Sequence, residues 1–337
     1  MPPPKPRVRN LSDLWYYTKK HSRLLTIDRG TDPELRQLQS LRRTYGKTSS
    51  KTPDVLMFGD SAMVTTTSLD RARTSLSEMI VKDLSPDLKV QTIGGPAYFA
   101  RLVSAFLTEL DESRSKPRAV VVPTSVLMAQ RLWAENPRQS YIQESAALRE
   151  IIASGGPIPS KGLPRSSKSD YENYDRLPAP SLIGARRTTG ELRLFLNSVP
   201  QTPWQTAVRL RAMLDYYNAE KLEPTSPGVV LVSELGAQLA KIGVPSIAYI
   251  PPINYEIVRT LLGETALEHI TRNADVIARA FTDSTGGLGQ VVNEIFDHPS
   301  ADFVDPVHLT YEGRKRFAGH VSDAIRSALA SAGPKNT

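Results

Sequence analysis

Short apolar runs followed by helical periodicity recur along this chain. The four apolar residues Val55–Phe58 are too few for an isolated helix and suit a strand that is buried on both faces of a parallel sheet. Gly59, Asp60 and Ser61 follow directly. Because ligands of open α/β sheets bind beyond the carboxyl ends of the strands, a serine at this position is well placed for chemistry. The pattern therefore makes Ser61 a candidate nucleophile.

The same unit of strand, turn and helix returns further along the chain. A second short strand stops at Gly94-Gly95-Pro96, and apolar residues from Phe99 to Leu110 follow at i, i+3, i+4 and i+7. Strands that alternate with amphipathic helices indicate a parallel sheet covered by helices on both faces. We predict a three-layer α/β/α sandwich with a flavodoxin-like sheet. Beyond the first strand, its strands are predicted at 89–93, 119–122, 245–250 and 276–281.

Two helices carry terminal signals. The apolar stretch 228–242 ends before Gly243, which suits a glycine just past a helix end. Thr310 precedes apolar residues that recur every four positions, so we expect it to cap a C-terminal helix. Further helices are predicted at 11–27, 32–45, 70–84 and 265–278.

The alternation stops between about 129 and 227. A stretch this long without a clear pattern inside a compact domain is usually functional or mobile. We interpret it as an insertion or lid over the active-site edge, with its aromatic residues packing a small core of its own. These are Trp133, Trp204, Tyr216 and Tyr217. The predicted organisation is a basic N-terminal arm with short helices at 1–52, an α/β domain at 53–128 and 228–332, the insertion at 129–227, and a disordered tail at 333–337.

The amino-acid composition excludes several kinds of functional site. The chain has no cysteine, which excludes disulfides, thiolate metal ligands and a cysteine nucleophile. Its start lacks an apolar core of signal-peptide length, and no run approaches the ~18 apolar residues that suggest a membrane span. We expect a cytoplasmic protein without a transmembrane segment.

The formal charge of +7 has much of its excess in residues 1–51. A basic arm of this kind suits an anionic partner such as a phosphate or an anionic lipid. No nucleic-acid-binding motif accompanies the charge. We interpret the arm as a solvated tail and keep the anionic partner as the alternative.

A polar cluster precedes the last helix. Asp305 lies three residues before His308, on a turn fixed by Pro306. This spacing can place the carboxylate against the imidazole Nδ1–H. A serine hydroxyl needs such a base, held in the correct tautomer by a third group. Ser61, His308 and Asp305 are therefore the predicted nucleophile, base and orienting acid.

Two alternatives use the same stretch. Asp302 could replace Asp305 as the partner of His308. A set of hard ligands could instead hold a divalent ion, although that interpretation leaves the placement of Ser61 unexplained, and we predict no metal or other cofactor. The set comprises Asp297, His298, Asp302, Asp305 and His308.

The remaining polar residues near these motifs are expected to be structural. Asp60 is predicted to order the serine turn by hydrogen bonding rather than to titrate in catalysis. Four histidines have no comparable setting and are expected to be structural or exposed: His21, His269, His298 and His320.

Gly59-Asp60-Ser61 after a buried strand, paired with Asp305-x-x-His308 before the C-terminal helix, resembles the SGNH, or GDSL, hydrolase superfamily. The resemblance covers about 53–128 and 228–330 but neither the arm nor the insertion. It implies an SGNH hydrolase-like fold and a serine esterase or deacetylase that forms an acyl-enzyme on Ser61. The implied substrate is a small-molecule or glycan acyl ester.

The resemblance also implies an oxyanion hole with three donors: the Ser61 amide, a glycine amide after the second strand, and an asparagine side chain after the third. Gly94 or Gly95 matches the glycine. Pro123-Thr124-Ser125 stands where the asparagine is expected. Ser125, or Asn254 after the fourth strand, is the candidate replacement.

The absent asparagine, the long insertion and the Pro-Pro-x-Asn-Tyr turn at 251–255 together resemble the SGNH-like proteins of cell-envelope acylation. These are the alginate O-acetylation proteins and the teichoic-acid D-alanylation protein. This resemblance implies an alternative function, an O-acyltransferase that moves an acyl group to a sugar or other hydroxyl. A further alternative is a non-catalytic scaffold that binds through its arm and insertion.

Overall fold

The computed structural model describes residues 32–46, 52–64, 72–113, 115–159, 162–199 and 203–331. The strands are β1 (Val55–Gly59), β2 (Val90–Gly94), β3 (Ala119–Pro123), β4 (Pro178–Ala179), β5 (Arg187–Thr188), β6 (Ser246–Ile250) and β7 (Gly289–Asn293). The helices are α1 (Pro33–Tyr45), α2 (Ser61–Val64), α3 (Leu76–Leu84), α4 (Ala100–Asp111), α5 (Val126–Ala129), α6 (Arg131–Ala134), α7 (Ile142–Ala153), α8 (Lys168–Tyr174), α9 (Thr189–Ser198), α10 (Pro203–Tyr216), α11 (Pro227–Ile242), α12 (Tyr255–Leu262), α13 (Glu264–Ser284) and α14 (Tyr311–Ser331).

The central sheet has five parallel strands in the order β2-β1-β3-β6-β7. This is the flavodoxin-like order, so the predicted fold class is confirmed. Alternate residues of β1 face opposite sides of the sheet. Leu56 and Phe58 belong to the core cluster beneath α4, α11 and α13, whereas Val55 and Met57 pack with α3 and α14.

The prediction of a strand at 276–281 is wrong. Val276, Ile277 and Phe281 lie on the buried face of the long helix α13, and a short apolar run does not distinguish a buried helix segment from a strand. The fifth strand is β7, at the edge of the sheet, where every residue is only half-buried. Its polar residues Gln290 and Asn293 conceal it in the sequence.

Three helix ends follow local sequence signals. The Thr310 hydroxyl accepts the Gly313 amide at 3.3 Å, as predicted for the start of α14. Gly243 ends α11 with φ +75°, a conformation that glycine adopts without steric cost. Helix α3 begins at Leu76, later than the predicted start near 70, because Ser75 and Glu78 form a reciprocal capping box.

The predicted helix at 32–45 is present as α1 and packs into the main core. Leu35, Leu38, Leu41 and Tyr45 are buried in the same cluster as β1 and α4, and Arg42 pairs with Glu109 of α4 at 2.7 Å. The helix predicted at 11–27, the rest of the basic arm before Asp32 and the tail beyond Ser331 lie outside the described residues.

The segment 129–227, predicted as an insertion and called the insertion below, is largely helical where it is described and includes the small β4–β5 hairpin. Tyr216 and Tyr217 contribute to a small cluster of this segment, as predicted. Trp133 instead packs against the main core, and its ring meets that of Tyr217 edge to face with centroids 5.9 Å apart. The side chain of Trp204 is outside the described part of the chain. The cluster is formed by Leu132, Ala179, Leu192, Leu196, Ala212 and Tyr216, with Phe195 and Tyr217 packed against it. Across the described ranges, no helix combines the length and apolar character needed to cross a membrane.

Candidate active site

Ser61 is half-buried at the first position of α2, directly beyond the carboxyl end of β1. The preceding Asp60 holds this turn: its Oδ1 accepts the amides of Ala62 at 3.1 Å and Met63 at 3.3 Å. The carboxylate thus satisfies amides that a helix start leaves without intrahelical partners. Asp60 orders the serine turn in the way the sequence predicts.

Asp60 is also a buried titratable group, only 2% exposed. It lies against the buried Tyr249 of β6, whose hydroxyl is 3.4 Å from Asp60 Oδ1. Burial raises the pKa of Asp60 to about 6, against the lowering effects of the Met63 amide, the Tyr249 hydroxyl and the positive charge of His308. Burial thus moves the pKa of this carboxyl from its ordinary range towards neutral pH.

Asp305 and His308 form a hydrogen-bonded pair on the turn before α14. His308 Nδ1 donates to Asp305 Oδ2 at 2.7 Å, and Asp305 Oδ1 accepts the amides of Val307 at 2.9 Å and His308 at 2.8 Å. Burial opposes charge on both groups, but their hydrogen bond and mutual attraction outweigh it. As a result the pKa of Asp305 is lowered and the pKa of His308 is raised.

A small pocket brings the two segments together. Ala62, next to Ser61, and His308 both line it. The buried Arg314 of α14 forms part of the wall and donates to the carbonyls of Leu309 at 2.8 Å and Ala72 at 2.9 Å. Its guanidinium thereby ties the chain before α3 to the turn that carries His308. The other lining residues are Leu76, Pro251, Pro252, Val307, Leu309 and Phe317.

The two glycines after β2 differ in what surrounds them. Gly94 pairs in register with Gly59, and a Cβ there would lie 2.5 Å from Val64 Cγ1 and 2.7 Å from the Gly59 carbonyl oxygen. The close approach of β1 and α2 therefore requires a glycine. The Gly95 amide donates to the Gly59 carbonyl at 3.1 Å, so it already has an acceptor in the sheet. The Gly94 carbonyl instead accepts Gln37 Nε2 of α1 at 2.9 Å.

Ser125 and Asn254 lie at the same edge of the sheet, after β3 and β6. Ser125 is buried at the start of α5, and its side chain makes no capping hydrogen bond. Asn254 Oδ1 accepts the Ile257 amide at 3.2 Å and the Ser300 hydroxyl at 2.8 Å. Its backbone amide donates to the Pro306 carbonyl, within the turn of the Asp305–His308 pair. Asn254 is thus attached to the segment that carries the candidate base.

Asp302 has a different partner from the one considered in the sequence. It bonds to Nδ1 of the buried His298 at 2.9 Å, and Glu294 bonds to the opposite ring nitrogen at 2.7 Å. The partner of His308 is therefore Asp305. The five proposed hard ligands do not converge, and the described ranges contain no group of three or more His, Asp or Glu arranged to hold a metal ion.

Two residues near the site carry little signal in the sequence. Tyr249 lies within an apolar strand run, so the sequence predicts a core aromatic and no role for its hydroxyl. Arg314 is buried three residues before Phe317, on a helical face that otherwise indicates core. Only the tertiary packing shows that both lie beside Asp60 or His308.

No protein-family model and no curated protein matches the chain. The structure is similar to a lipase/acylhydrolase from Enterococcus faecalis, with 13% identity over 84% of this chain and 98% of that chain and a TM-score of 0.35. It is also similar to the native aryl esterase of M. smegmatis, with 12% identity, coverages of 81% and 98% and a TM-score of 0.35. A mutant acetyl-xylooligosaccharide esterase from Geobacillus stearmophilus gives 12% identity, coverages of 85% and 96% and a TM-score of 0.34. The function proposed for this chain rests on the geometry of its own site.

Proposed function

We propose that the protein is a serine-dependent acyl-ester hydrolase of the SGNH type that forms an acyl-enzyme on Ser61. The observation that carries the proposal is the Asp305–His308 hydrogen bond beside a pocket that Ala62 also lines. The pocket is lined both by His308, which the hydrogen bond orients, and by the turn that carries Ser61 beyond the carboxyl end of β1. The substrate class is a small-molecule or glycan acyl ester.

In the proposed reaction, Ser61 Oγ attacks the ester carbonyl carbon while His308 Nε2 takes the hydroxyl proton. Asp305 keeps Nδ1 protonated and stabilises the imidazolium that forms. The tetrahedral intermediate then expels the alcohol, which receives the proton from Nε2. Water repeats the sequence on the acyl-enzyme, with His308 again as the base, and releases the carboxylic acid and free Ser61.

The oxyanion requires donors aimed at the position where negative charge develops. The resemblance implies two main-chain donors, the amide of Ser61 at the start of α2 and the amide of Gly94 or Gly95 after β2. We assign the third donor to Asn254 Nδ2 rather than to Ser125. Two hydrogen bonds to Asn254 Oδ1 fix its carboxamide and leave Nδ2 as the donating end.

O-acyl transfer is the second candidate because it differs only in the fate of the acyl-enzyme. The turn at 251–255, on which the resemblance to cell-envelope acylation proteins partly rests, supplies Pro251 and Pro252 to the pocket wall. An acceptor hydroxyl held against that wall would replace water in the second step. Partition of the product between a free acid and an acylated sugar measures the balance between the two reactions.

The test is covalent labelling with a fluorophosphonate, followed by hydrolysis of p-nitrophenyl acetate. We expect labelling of the wild type at Ser61, confirmed by peptide mass, and loss of both signals in Ser61→Ala and His308→Asn. Ser331→Ala, at the exposed end of α14, is the matched serine control and should behave like the wild type. Equal labelling of wild type and Ser61→Ala would refute the acyl-enzyme and favour a non-catalytic scaffold.

A further inference from the structure

The turn that follows β2 has an unusual backbone. The Tyr98 amide donates to the Gly95 carbonyl at 3.3 Å, which closes a four-residue turn with Pro96 and Ala97 at its centre. Ala97 has φ +60°. Proline followed by a positive φ is typical of a type II turn, whose third position is normally glycine. Because a Cβ disfavours this conformation, the surrounding structure must hold the turn.

Side chains from two other segments of the chain stabilise this turn. The Tyr141 hydroxyl, in the insertion, donates to the Pro96 carbonyl at 2.8 Å. Gln37 of α1 donates from Nε2 to the Gly94 carbonyl at 2.9 Å and accepts the Tyr98 hydroxyl at 2.8 Å. The rings of Tyr98 and Tyr141 also meet edge to face, with centroids 5.5 Å apart. The turn is therefore bound by side chains of both α1 and the insertion.

The backbone is strained both next to the acceptor of this hydrogen bond, at Ala97, and at its donor residue, Tyr141. Tyr141 itself has φ +51° at the start of α7. Within the described part of the chain, Ala97 and Tyr141 are the non-glycine residues with positive φ. Strained backbone of this kind persists where neighbouring contacts over-determine it, and it concentrates at functional sites.

The position of the turn links it to Ser61. The turn begins beside Gly94, which packs directly against Gly59 and Val64, at the two ends of the segment that carries Ser61. In a trans peptide the carbonyl and the amide hydrogen point in opposite directions. With the Pro96 carbonyl fixed on Tyr141, the Ala97 amide is directed to the other side of the turn, away from the insertion.

We propose that Tyr141 is a positioning residue for acyl transfer. By holding the Pro96 carbonyl it fixes the orientation of the Pro96–Ala97 peptide, and with it the turn that continues from Gly94 and Gly95, the glycines implied for the oxyanion hole. The insertion is then part of the catalytic framework. This inference rests on the proposed function and adds a role for the insertion.

The test compares Tyr141→Phe with Tyr174→Phe. Tyr174 is a matched control because its hydroxyl also donates to a main-chain carbonyl of the insertion, that of Leu132 at 2.6 Å, outside the turn. For Tyr141→Phe we expect kcat and the rate of fluorophosphonate labelling to fall by about 10- to 100-fold, the scale of a small misplacement of reacting groups. KM and the circular dichroism spectrum should change little, and Tyr174→Phe should label at the wild-type rate.

Rescue separates positioning from a general structural effect. Glycine adopts a positive φ without penalty, so Ala97→Gly added to Tyr141→Phe should recover part of the lost rate. Gln37→Met, which loosens the same turn from α1, should lower kcat in the same way and serves if Tyr141→Phe fails to fold. Tyr141→Phe labelling as fast as Tyr174→Phe, or a double variant no faster than Tyr141→Phe, would overturn the proposal. A wild type that does not label at Ser61 would instead refute the proposed function.

Discussion

Asp305 holds His308 through both of its carboxylate oxygens. Oδ2 accepts ring Nδ1 at 2.7 Å, and Oδ1 accepts the His308 backbone amide at 2.8 Å. The main-chain bond fixes the acid relative to the turn, and the ring bond selects the tautomer with a proton on Nδ1. The proposed base is thus oriented in the absence of substrate.

Asp305→Asn should separate these two roles. The asparagine carbonyl can still accept the backbone amides, but its NH₂ group turned towards Nδ1 favours the wrong tautomer. We expect kcat to fall by about 10³- to 10⁴-fold, with an unfolding midpoint close to that of the wild type. Asp305→Ala, which also loses the acceptors of the turn, is the comparison for stability. Ester hydrolysis by Asp305→Asn within tenfold of the wild type would contradict the role assigned to this residue.

Asp60 should make the stability of the protein depend on pH. Its pKa is about 6 in the folded protein and about 3.9 when exposed, so the folded state binds the proton more tightly. Ionisation therefore destabilises the fold as pH rises from 4 to above 6. Asp60→Asn keeps an oxygen for the Ala62 and Met63 amides and carries no charge. We expect it to exceed the wild type by about 3 kcal/mol in unfolding free energy at pH 8, and by little at pH 4.

Urea unfolding of both proteins at several pH values measures this difference, and a difference that stays constant with pH would count against the assignment. The same variant has an effect on activity. Because the negative charge of Asp60 helps to raise the pKa of His308, removing it should lower that pKa. The acidic limb of kcat/KM, which reports the base in the free enzyme, should then move to lower pH.

His298 should stabilise the protein most at low pH. Burial disfavours its charge, but hydrogen bonds to Glu294 and Asp302 outweigh burial and raise its pKa above the ordinary value of 6.5. Its contribution is therefore complete below pH 6.5 and is lost as pH rises through the folded-state pKa. We expect His298→Gln to lose more unfolding free energy at pH 6 than at pH 9, as measured by urea titration.

His269 provides the control with the opposite sign. Burial lowers its pKa, against the raising effect of the Glu220 and Asn218 main chain, so protonation destabilises the fold. The loss of stability in His269→Gln should be smaller at pH 5 than at pH 8. If both variants followed the same trend with pH, the assignment of His298 as a buried cation would be wrong.

Asn254→Asp tests the third oxyanion donor. The aspartate oxygen can still cap α12 and accept the Ser300 hydroxyl, but it no longer offers Nδ2–H. We expect kcat to fall by about 10²- to 10³-fold, the effect of losing one such donor. Ser125→Ala should remain within a few-fold of the wild type. The reverse ranking of these two variants in p-nitrophenyl ester hydrolysis would move the donor to Ser125.

The parts of the fold that the sequence predicts are those with strong local signals. β1, β3 and β6 are identifiable as buried apolar runs, β2 by the Gly94-Gly95-Pro96 turn that ends it, and α14 by its cap and spacing. β7 was missed because an edge strand tolerates the polar residues Gln290 and Asn293, and because the apolar positions of α13 imitate a strand over a few residues. A strand that is buried on only one face has a weaker hydrophobic pattern than a strand buried on both faces.

The residues of the candidate site also differ in how well the sequence predicts them. Ser61, Asp305 and His308 stand next to a strand end or a helix start, so their positions could be predicted, and their roles are those of the proposed reaction. Tyr249, Gln37 and Tyr141 could not, because each acts on a residue far away in the chain through a hydroxyl or amide that has no periodic signature. Such contacts depend on which elements the sheet order brings together.

The pairing of β3 with β6 has a consequence for how the chain folds. It joins Val120 to Ser246 across the whole insertion, so the two halves of the sheet meet only after a very long loop closes. The entropic cost of closure grows with the logarithm of loop length, so the equilibrium is affected little while the rate of folding is slowed. We expect the β2-β1-β3 half of the sheet to form early and its docking with β6 and β7 to limit the rate of folding. Until β6 docks, the edge of β3 is exposed. We therefore expect this edge to be the surface that most needs protection during synthesis.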